Sequence, residues 1–294
     1  MYNEKIRIGT LARPSANYLK QILPLGFESF SITWWETLGD TDLKKLAADV
    51  KKTLAGSGVV ISSLGIFGNP LMDTDKAKAN REGWKKLIDA APLFGCDIVC
   101  GFAGRVVDKP IDQSLPRWKQ VFEPLAKRAA DKGIRIAFEN CDMGGTWWRG
   151  DWNIAHSPKC WDMMFDALPM DNIGLEWEPC HQMVKLIDPM PQLRKYVKKI
   201  FHVHGKDATV YWVVVREHGV FGPEQFAFHR SPGFGDSNWT DIISELRRGG
   251  FVGSVDIEGW HDPVYREELE MTGQVHAMNY LKRCRGGSFV ANPT

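Results

Sequence analysis

Eight strand-like runs alternating with helix-like ones predict a closed (β/α)8 barrel for this 294-residue chain. Three observations carry the prediction. The eight runs do not follow one another as hairpins, so the strands lie parallel with helices over them. Eight units in 294 residues suit a closed barrel better than an open doubly wound sheet. No G-x-G-x-x-G follows the first strand and no G-x-x-x-x-G-K-[ST] occurs, which removes both common nucleotide-binding readings of an open sheet.

Residues 6–11 form the first expected strand, closed by Pro14, and 27–34 the second. Asp40 or Thr41 then caps a helix in which Leu43, Leu46, Ala47, Val50 and Leu54 recur at helical spacing, stopped by Gly56 and Gly58. The third strand, 59–64, runs into the turn-rich Gly68-Asn69-Pro70. A long helix follows over 74–93, with Trp84, Leu87, Ile88 and Ala91 on its buried side. Strand 97–102 precedes a helix over 115–131 that Gly133 ends. Strand 135–139 precedes a helix over 159–168, and strand 172–178 a helix over 191–198. The seventh strand is 201–204. A helix over 239–248, capped by Ser237 or Asn238 and ended by Gly249-Gly250, leads to the eighth strand, 254–258, and a last helix over 263–283. Residues 1–284 are thus expected as one barrel domain, with 285–294 a loose tail. A long insertion at about 208–235 interrupts the scheme between strand seven and its helix. Its β-prone run 210–215 predicts a hairpin across the barrel mouth or a contact between subunits of a homo-oligomer.

Composition excludes several functions. Hydrophobic content of 44% and charged content of 25% describe a soluble globular protein. With 37 basic against 36 acidic residues the net charge is +1, which gives no long-range pull toward nucleic acid or an anionic membrane. No apolar run suffices to cross a bilayer, the first residues lack an apolar signal segment, and the cysteines show no C-x-x-C spacing. Reduced thiols in a cytoplasm are the expectation.

Catalytic groups of such a barrel sit at the C-terminal ends of its strands. Strand five ends in Phe138-Glu139-Asn140, and strand six in Glu176-Trp177-Glu178-Pro179-Cys180-His181. Strand seven gives His202 and His204, and strand eight Asp256-Ile257-Glu258. Two histidines on the inner face of a strand are costly unless they are hydrogen-bonded or bind something. Consecutive strands thus bring a carboxylate or imidazole to one rim, and a divalent cation resolves their repulsion. Three carboxylates and one imidazole suit Mn²⁺ or Mg²⁺ best, with Co²⁺, Fe²⁺ or Zn²⁺ as alternatives. Parity cannot choose within each pair, since Glu176 and Glu178 share a face, as do His202 and His204, and Asp256 and Glu258. Depth can: the residue nearer the strand exit lies nearer the mouth, which favours Glu178, His204 and Glu258. Glu176, His202 and Asp256 are then interior hydrogen-bonding partners. Lys206, at the exit of strand seven, is either an acid–base group or the partner of Asp207 or another neighbouring carboxylate.

Tryptophans gather near the same rim: Trp34 and Trp35, Trp147, Trp148 and Trp152, and Trp260. A sugar ring offers an apolar C–H face that stacks on indole, so a carbohydrate substrate fits, with Trp147 and Trp148 in a glycine-flanked loop as the first candidates for contact. Some of these rings are expected to be hydrophobic cover instead, Trp177 among them.

These residues resemble the sugar phosphate isomerase/epimerase superfamily, the xylose isomerase-like barrels that include ketose 3-epimerases and apurinic-site endonucleases. The resemblance rests on Phe138-Glu139-Asn140, on Glu178-Pro179-Cys180-His181 and on His204-x-Lys206-Asp207. Arg230-Ser231-Pro232-Gly233-Phe234-Gly235 followed by Trp239, and the terminal Glu258, extend it. It implies a xylose isomerase-like barrel in which Glu139, Glu178, His204 and Glu258 hold the metal. It further implies that Glu139 and Glu258 move the proton and that His181 and Arg230 touch substrate oxygens. Glu178 departs from the family's commoner aspartate by one methylene. The activity implied is metal-dependent isomerisation or epimerisation of a sugar or keto-sugar through an enediolate. Dehydration or 3-keto-glycoside cleavage is the alternative from the same intermediate. A DNA-repair endonuclease would need a basic face, and a non-catalytic sugar-binding barrel would not need all four ligands.

Overall fold

The computed structural model describes residues 6–259 and 261–287. Trp260 and most of the expected C-terminal tail lie outside them. The strands are β1 (Arg7–Ala12), β2 (Ser29–Trp35), β3 (Val60–Phe67), β4 (Ile98–Gly101), β5 (Arg135–Glu139), β6 (Ile173–Trp177) and β7 (Ile200–Gly205). A short pair follows, β8 (Asp207–Val210) and β9 (Ala227–Arg230), and then β10 (Ser254–Ile257). The helices are α1 (Ala16–Ile22), α2 (Leu43–Leu54), α3 (Asp75–Phe94), α4 (Ile111–Ala130), α5 (Pro158–Ala167), α6 (Cys180–Met183), α7 (Pro189–Tyr196), α8 (Trp212–His218), α9 (Trp239–Arg248) and α10 (Glu270–Arg285). The strand order β1-β10-β7-β6-β5-β4-β3-β2 is a closed barrel, and β8 and β9 form a separate antiparallel pair. Among the described residues no helix is long and apolar enough to cross a membrane.

Four local readings need correction. Helix α1 was not expected; Ser15 starts it by accepting the Tyr18 N–H, and Lys20 is the only basic residue of its last turn. Asp42 caps α2, not Asp40 or Thr41, because its carboxylate accepts from both Lys44 and Lys45 N–H at 3.0 Å. In the insertion a hairpin does form, but from β8 and β9, and their pairing ends at Val210↔Ala227. The β-prone residues beyond it, finding no partner strand, coil into the exposed α8. Helix α10 starts later than residue 263 because Asp262 ties up the Val264 and Tyr265 N–H groups at 2.9 and 3.0 Å in a turn.

The chain divides into two compact units. The larger comprises Leu11–Trp177 and Lys199–Val203, the smaller Met1–Thr10, Glu178–Lys198 and His204–Thr294. In the larger unit parallel register runs from Ser29↔Val60 through Leu64↔Val99 and Ile98↔Arg135 to Glu139↔Glu176. Its core is aromatic: Phe122 meets Phe138 at 4.8 Å and Trp84 at 5.3 Å, both nearly edge-on, and all three are fully buried. Each such ring contributes roughly 1.5–3 kcal/mol by leaving water. Gly101, at φ 154°, has no room for a side chain, since a Cβ there would run into the Ile66 carbonyl and the Trp84 ring. In the smaller unit β1 pairs with β10 from Arg7↔Ser254 to Thr10↔Ile257. Trp239 opens α9 fully buried, while Asn238 caps that helix through the Asp241 N–H at 3.2 Å.

Candidate active site

The smaller unit holds six of the expected site residues: Glu178, His181, His204, Lys206, Arg230 and Glu258. Glu178 follows β6 directly and folds back over α6, where both its oxygens accept the His181 N–H at 2.9 and 3.2 Å. The His181 amide, second in that turn, would otherwise lack a partner, so a buried acidic side chain at this position both caps the turn and meets a partial positive charge. The cap holds His181 in place. Its Nε2 lies 3.2 Å from Lys206 Nζ and 3.6 Å from Glu178 Oε1, and its ring stands edge-on to His229 at 4.9 Å. A nitrogen facing an ammonium must be the acceptor, so the His181 proton sits on Nδ1. Burial, the Lys206 charge and His229 all push the His181 pKa well below the usual histidine value.

Lys206, 1% exposed at the exit of β7, is the hub. Its Nζ donates to Glu258 Oε1 at 2.6 Å and lies 3.2 Å from both His181 Nε2 and His261 Nδ1. Glu258 directly follows β10, its own N–H reaching the Gly205 carbonyl at 3.2 Å, and its Oε2 faces His204 Nδ1 at 3.2 Å. Burial alone would raise the Glu258 pKa; Lys206, then His204 and His261, outweigh it and hold the carboxyl well below the usual range. Glu258 is therefore ionised.

Two other motif residues have structural work. Asp207 does not pair with Lys206; it accepts from Ala208 and Ser237 N–H at 2.7 and 3.1 Å and from the Trp239 indole at 3.0 Å. Arg230, expected as a substrate contact, donates Nε to Asp262 at 3.0 Å, and the same Asp262 oxygen takes the Ser231 N–H at 3.1 Å. Reading of the sequence missed His229 and His261. The signals were there: His229 precedes Arg230 in the recognised run, and His261 lies three residues beyond Glu258, yet neither belongs to a barrel strand.

In the larger unit Glu139 ends β5, buried, with its backbone stapled from outside. Asn153 Nδ2 donates to the Glu139 and Cys141 carbonyls at 2.8 and 2.7 Å, while its Oδ1 accepts from Ala103 and Ala155 N–H. Deeper in, Glu176 Oε1 meets His202 Nδ1 at 2.7 Å, both fully buried, so two of the inner members of the sequence pairs share an interior hydrogen bond. With Cys100 they offer ligand-type atoms within 4.8 Å of one another. Trp147 is half-buried and Trp148 68% exposed, whereas Trp34 is core and donates to Thr41 at 3.2 Å.

The smaller unit offers residue types that a divalent cation takes as ligands. Glu178 and Glu258 bring two buried carboxylates against the single ammonium of Lys206, with His181 neutral and His204 alongside. Mixed carboxylate and imidazole donors are what Mn²⁺-type ions accept.

Residues 19–284 match the model of the xylose isomerase-like TIM barrel family. An uncharacterized protein of Bacillus subtilis strain 168 is 23% identical over 290 residues, spanning 83% of this chain and 88% of its own length. An inosose dehydratase of Clostridium perfringens is 27% identical over 172 residues, 56% of this chain and 54% of that protein. The chain thus matches only about half the length of that dehydratase. Among solved structures, 3-keto-D-glucoside 4-epimerase from E. coli superposes with a TM-score of 0.71 at 14% identity, covering 95% of this chain and 100% of that one. An L-ribulose 3-epimerase gives 0.70 at 17% identity, covering 96% and 95%. Both likenesses are of fold. The chain belongs to the xylose isomerase-like TIM barrel family.

Proposed function

We propose that the protein is a metal-dependent isomerase or epimerase of a sugar or keto-sugar, with Glu139, Glu178, His204 and Glu258 as the metal-holding set. The observation that carries this reading is the ionised, buried Glu258 at the exit of β10, held between Lys206 and His204. Support comes also from strand order: β5, β6, β7 and β10 are consecutive around the barrel, and each brings one member of the set at or just past its end.

A divalent ion bound there, Mn²⁺ by preference and Mg²⁺ or Co²⁺ otherwise, would polarise a substrate carbonyl and steady the charge that builds on its oxygen. The protein's own groups do the rest. Glu139, its backbone fixed by Asn153, takes the proton next to the carbonyl. Glu258, ionised at rest, first takes a proton from the Lys206 ammonium beside it and returns that proton from the opposite face, and solvent reprotonates Lys206. Return to the same carbon is epimerisation, and to its neighbour isomerisation. His181 and Lys206 orient hydroxyls, and a neutral His181 with its proton on Nδ1 donates there without adding charge.

Elimination is the second reading, and Lys206 favours it. An ammonium 2.6 Å from Glu258 is placed to donate a proton to a departing hydroxyl. The half-length likeness to an inosose dehydratase and the fold of a probable 3-DHS dehydratase (TM-score 0.64, 14% identity) point the same way.

Incubation of the Mn²⁺-loaded protein with keto-sugars in deuterated water tests both. Deuterium in the recovered sugar supports epimerisation or isomerisation, an unsaturated product supports elimination, and neither across a broad sugar panel sinks the proposal.

A further inference from the structure

The larger unit holds a cavity of about 280 Å³ lined by Trp152. We propose that it is a subsite for an uncharged glycosyl ring, so that the substrate is a glycoside and not a sugar phosphate. This rests on the carbohydrate reading just given and names the substrate class within it.

Size and chemistry agree. Small-molecule pockets begin at roughly 300 Å³, so this one takes a single ring. One wall is aromatic: Trp152 packs on Trp35 at 5.4 Å and edge-on to Phe102 at 6.4 Å, which fixes an indole in a cavity whose other apolar members are Met72, Ala77 and Val107. Sugar C–H faces stack on such a surface. The opposing groups are acidic on balance. Glu36 and Asp151 bring two carboxylates against one ammonium, Lys76, which pairs with Glu36 at 2.7 Å. Hydroxyls donate to carboxylates, while a phosphate brought there would be repelled.

An independent observation also calls for a donor. Asn80 lines the cavity at 1% exposure; its Nδ2 donates to the Glu36 carbonyl at 2.7 Å, and its buried Oδ1 has no hydrogen-bond partner among the described residues. Glu36 itself sits at φ 58°, a left-handed conformation that side chains seldom adopt and that clusters at functional sites.

The wall is preformed. Asn69 Nδ2 binds the Asp151 carbonyl at 2.6 Å and the Arg105 carbonyl at 2.7 Å, while its Oδ1 accepts from Leu71 and Arg105 N–H at 3.0 Å. The fully buried Arg105 guanidinium takes the carbonyls of Lys109, Thr146 and Trp147 at 2.6–3.1 Å. The loop leaving Glu139 is thereby wrapped around one cation, and a ring bound against Trp152 meets a fixed surface.

The test uses metal-free protein and a probe without a ketone, so that binding is read apart from turnover. Methyl β-D-glucopyranoside and glucose 6-phosphate are titrated by tryptophan fluorescence and saturation-transfer NMR. The neutral glycoside should bind about tenfold or more tighter than the phosphate. Trp152→Phe should keep that affinity within about threefold and Trp152→Ala should lose about tenfold. Asp151→Lys, a change at an exposed side chain, should narrow the preference against phosphate and stands as the test if Trp152→Ala does not fold. No glycoside binding, equal affinity for the phosphate, or a folded Trp152→Ala that binds unchanged would overturn the subsite. Binding as expected with no deuterium exchange under Mn²⁺ would instead remove the proposed reaction and leave the subsite standing.

Discussion

Lys206 Nζ lies 2.6 Å from Glu258 Oε1 with both side chains buried, and this pairing fixes the charge state of the candidate site. Breaking a buried pair from one side leaves an uncompensated charge, at a cost of roughly 3–5 kcal/mol. Lys206→Met should therefore lower urea stability by about that much in metal-free protein. Adding Glu258→Leu should restore most of it. A single mutant as stable as the wild type would mean that the two groups do not depend on each other.

Glu139→Gln should keep the fold, because the staple from Asn153 engages the backbone carbonyl and not the carboxylate. Turnover should drop on the order of 10²–10⁴-fold, the usual worth of a positioned proton carrier. Circular dichroism and deuterium wash-in, measured on one preparation, separate the two effects.

Acid should weaken the protein in two stages. His181 is held well below the usual histidine pKa and His229 is lowered to about 4, both first by burial. Between pH 6.5 and 4 the unfolded chain binds protons at these positions that the folded chain refuses, so stability is full above about 6.5 and falls with pH below it. Glu258 is depressed, so its contribution is full above the ordinary carboxylate pKa of about 4.5 and is lost as pH falls further. His229→Gln should flatten the upper stage alone. Urea midpoints at pH 7.5, 5.5 and 4 check the sign, and an unchanged slope in that variant would contradict the assignment.

What the sequence disclosed and withheld follows one physical line. Period-two and period-3.6 patterns are local, so β5 and α9 are placed to the residue and most other elements to within a few. Helix α1 escaped because Pro14 suggested only a stop, while its start depends on the Ser15 cap. Depth along a strand separated Glu176 and His202, which pair with each other, from Glu178 and His204, which lie nearer the strand exits. The Lys206 hub was not legible, since its partners Glu258, His181 and His261 are remote in sequence and one of them leaves the strands altogether. Arg105, likewise, reads as an ordinary loop residue. In the fold, a Cβ at Gly145 or Gly150 would crowd its guanidinium.

Arg105→Met should free the loop that carries Trp147 and Trp148. Amide exchange across residues 144–151 should quicken, the melting temperature should fall by about 5 °C, and KM should rise more than kcat falls. Equal protection of that loop in both proteins would show that the guanidinium does not hold it.

Anomalous diffraction from crystals soaked in Mn²⁺ addresses the metal directly. One ion should appear with carboxylate oxygens of Glu139, Glu178 and Glu258 and a ring nitrogen of His204 within about 2.0–2.4 Å. Clear density for those four side chains with no ion among them, or an ion bound elsewhere, would contradict the assignment.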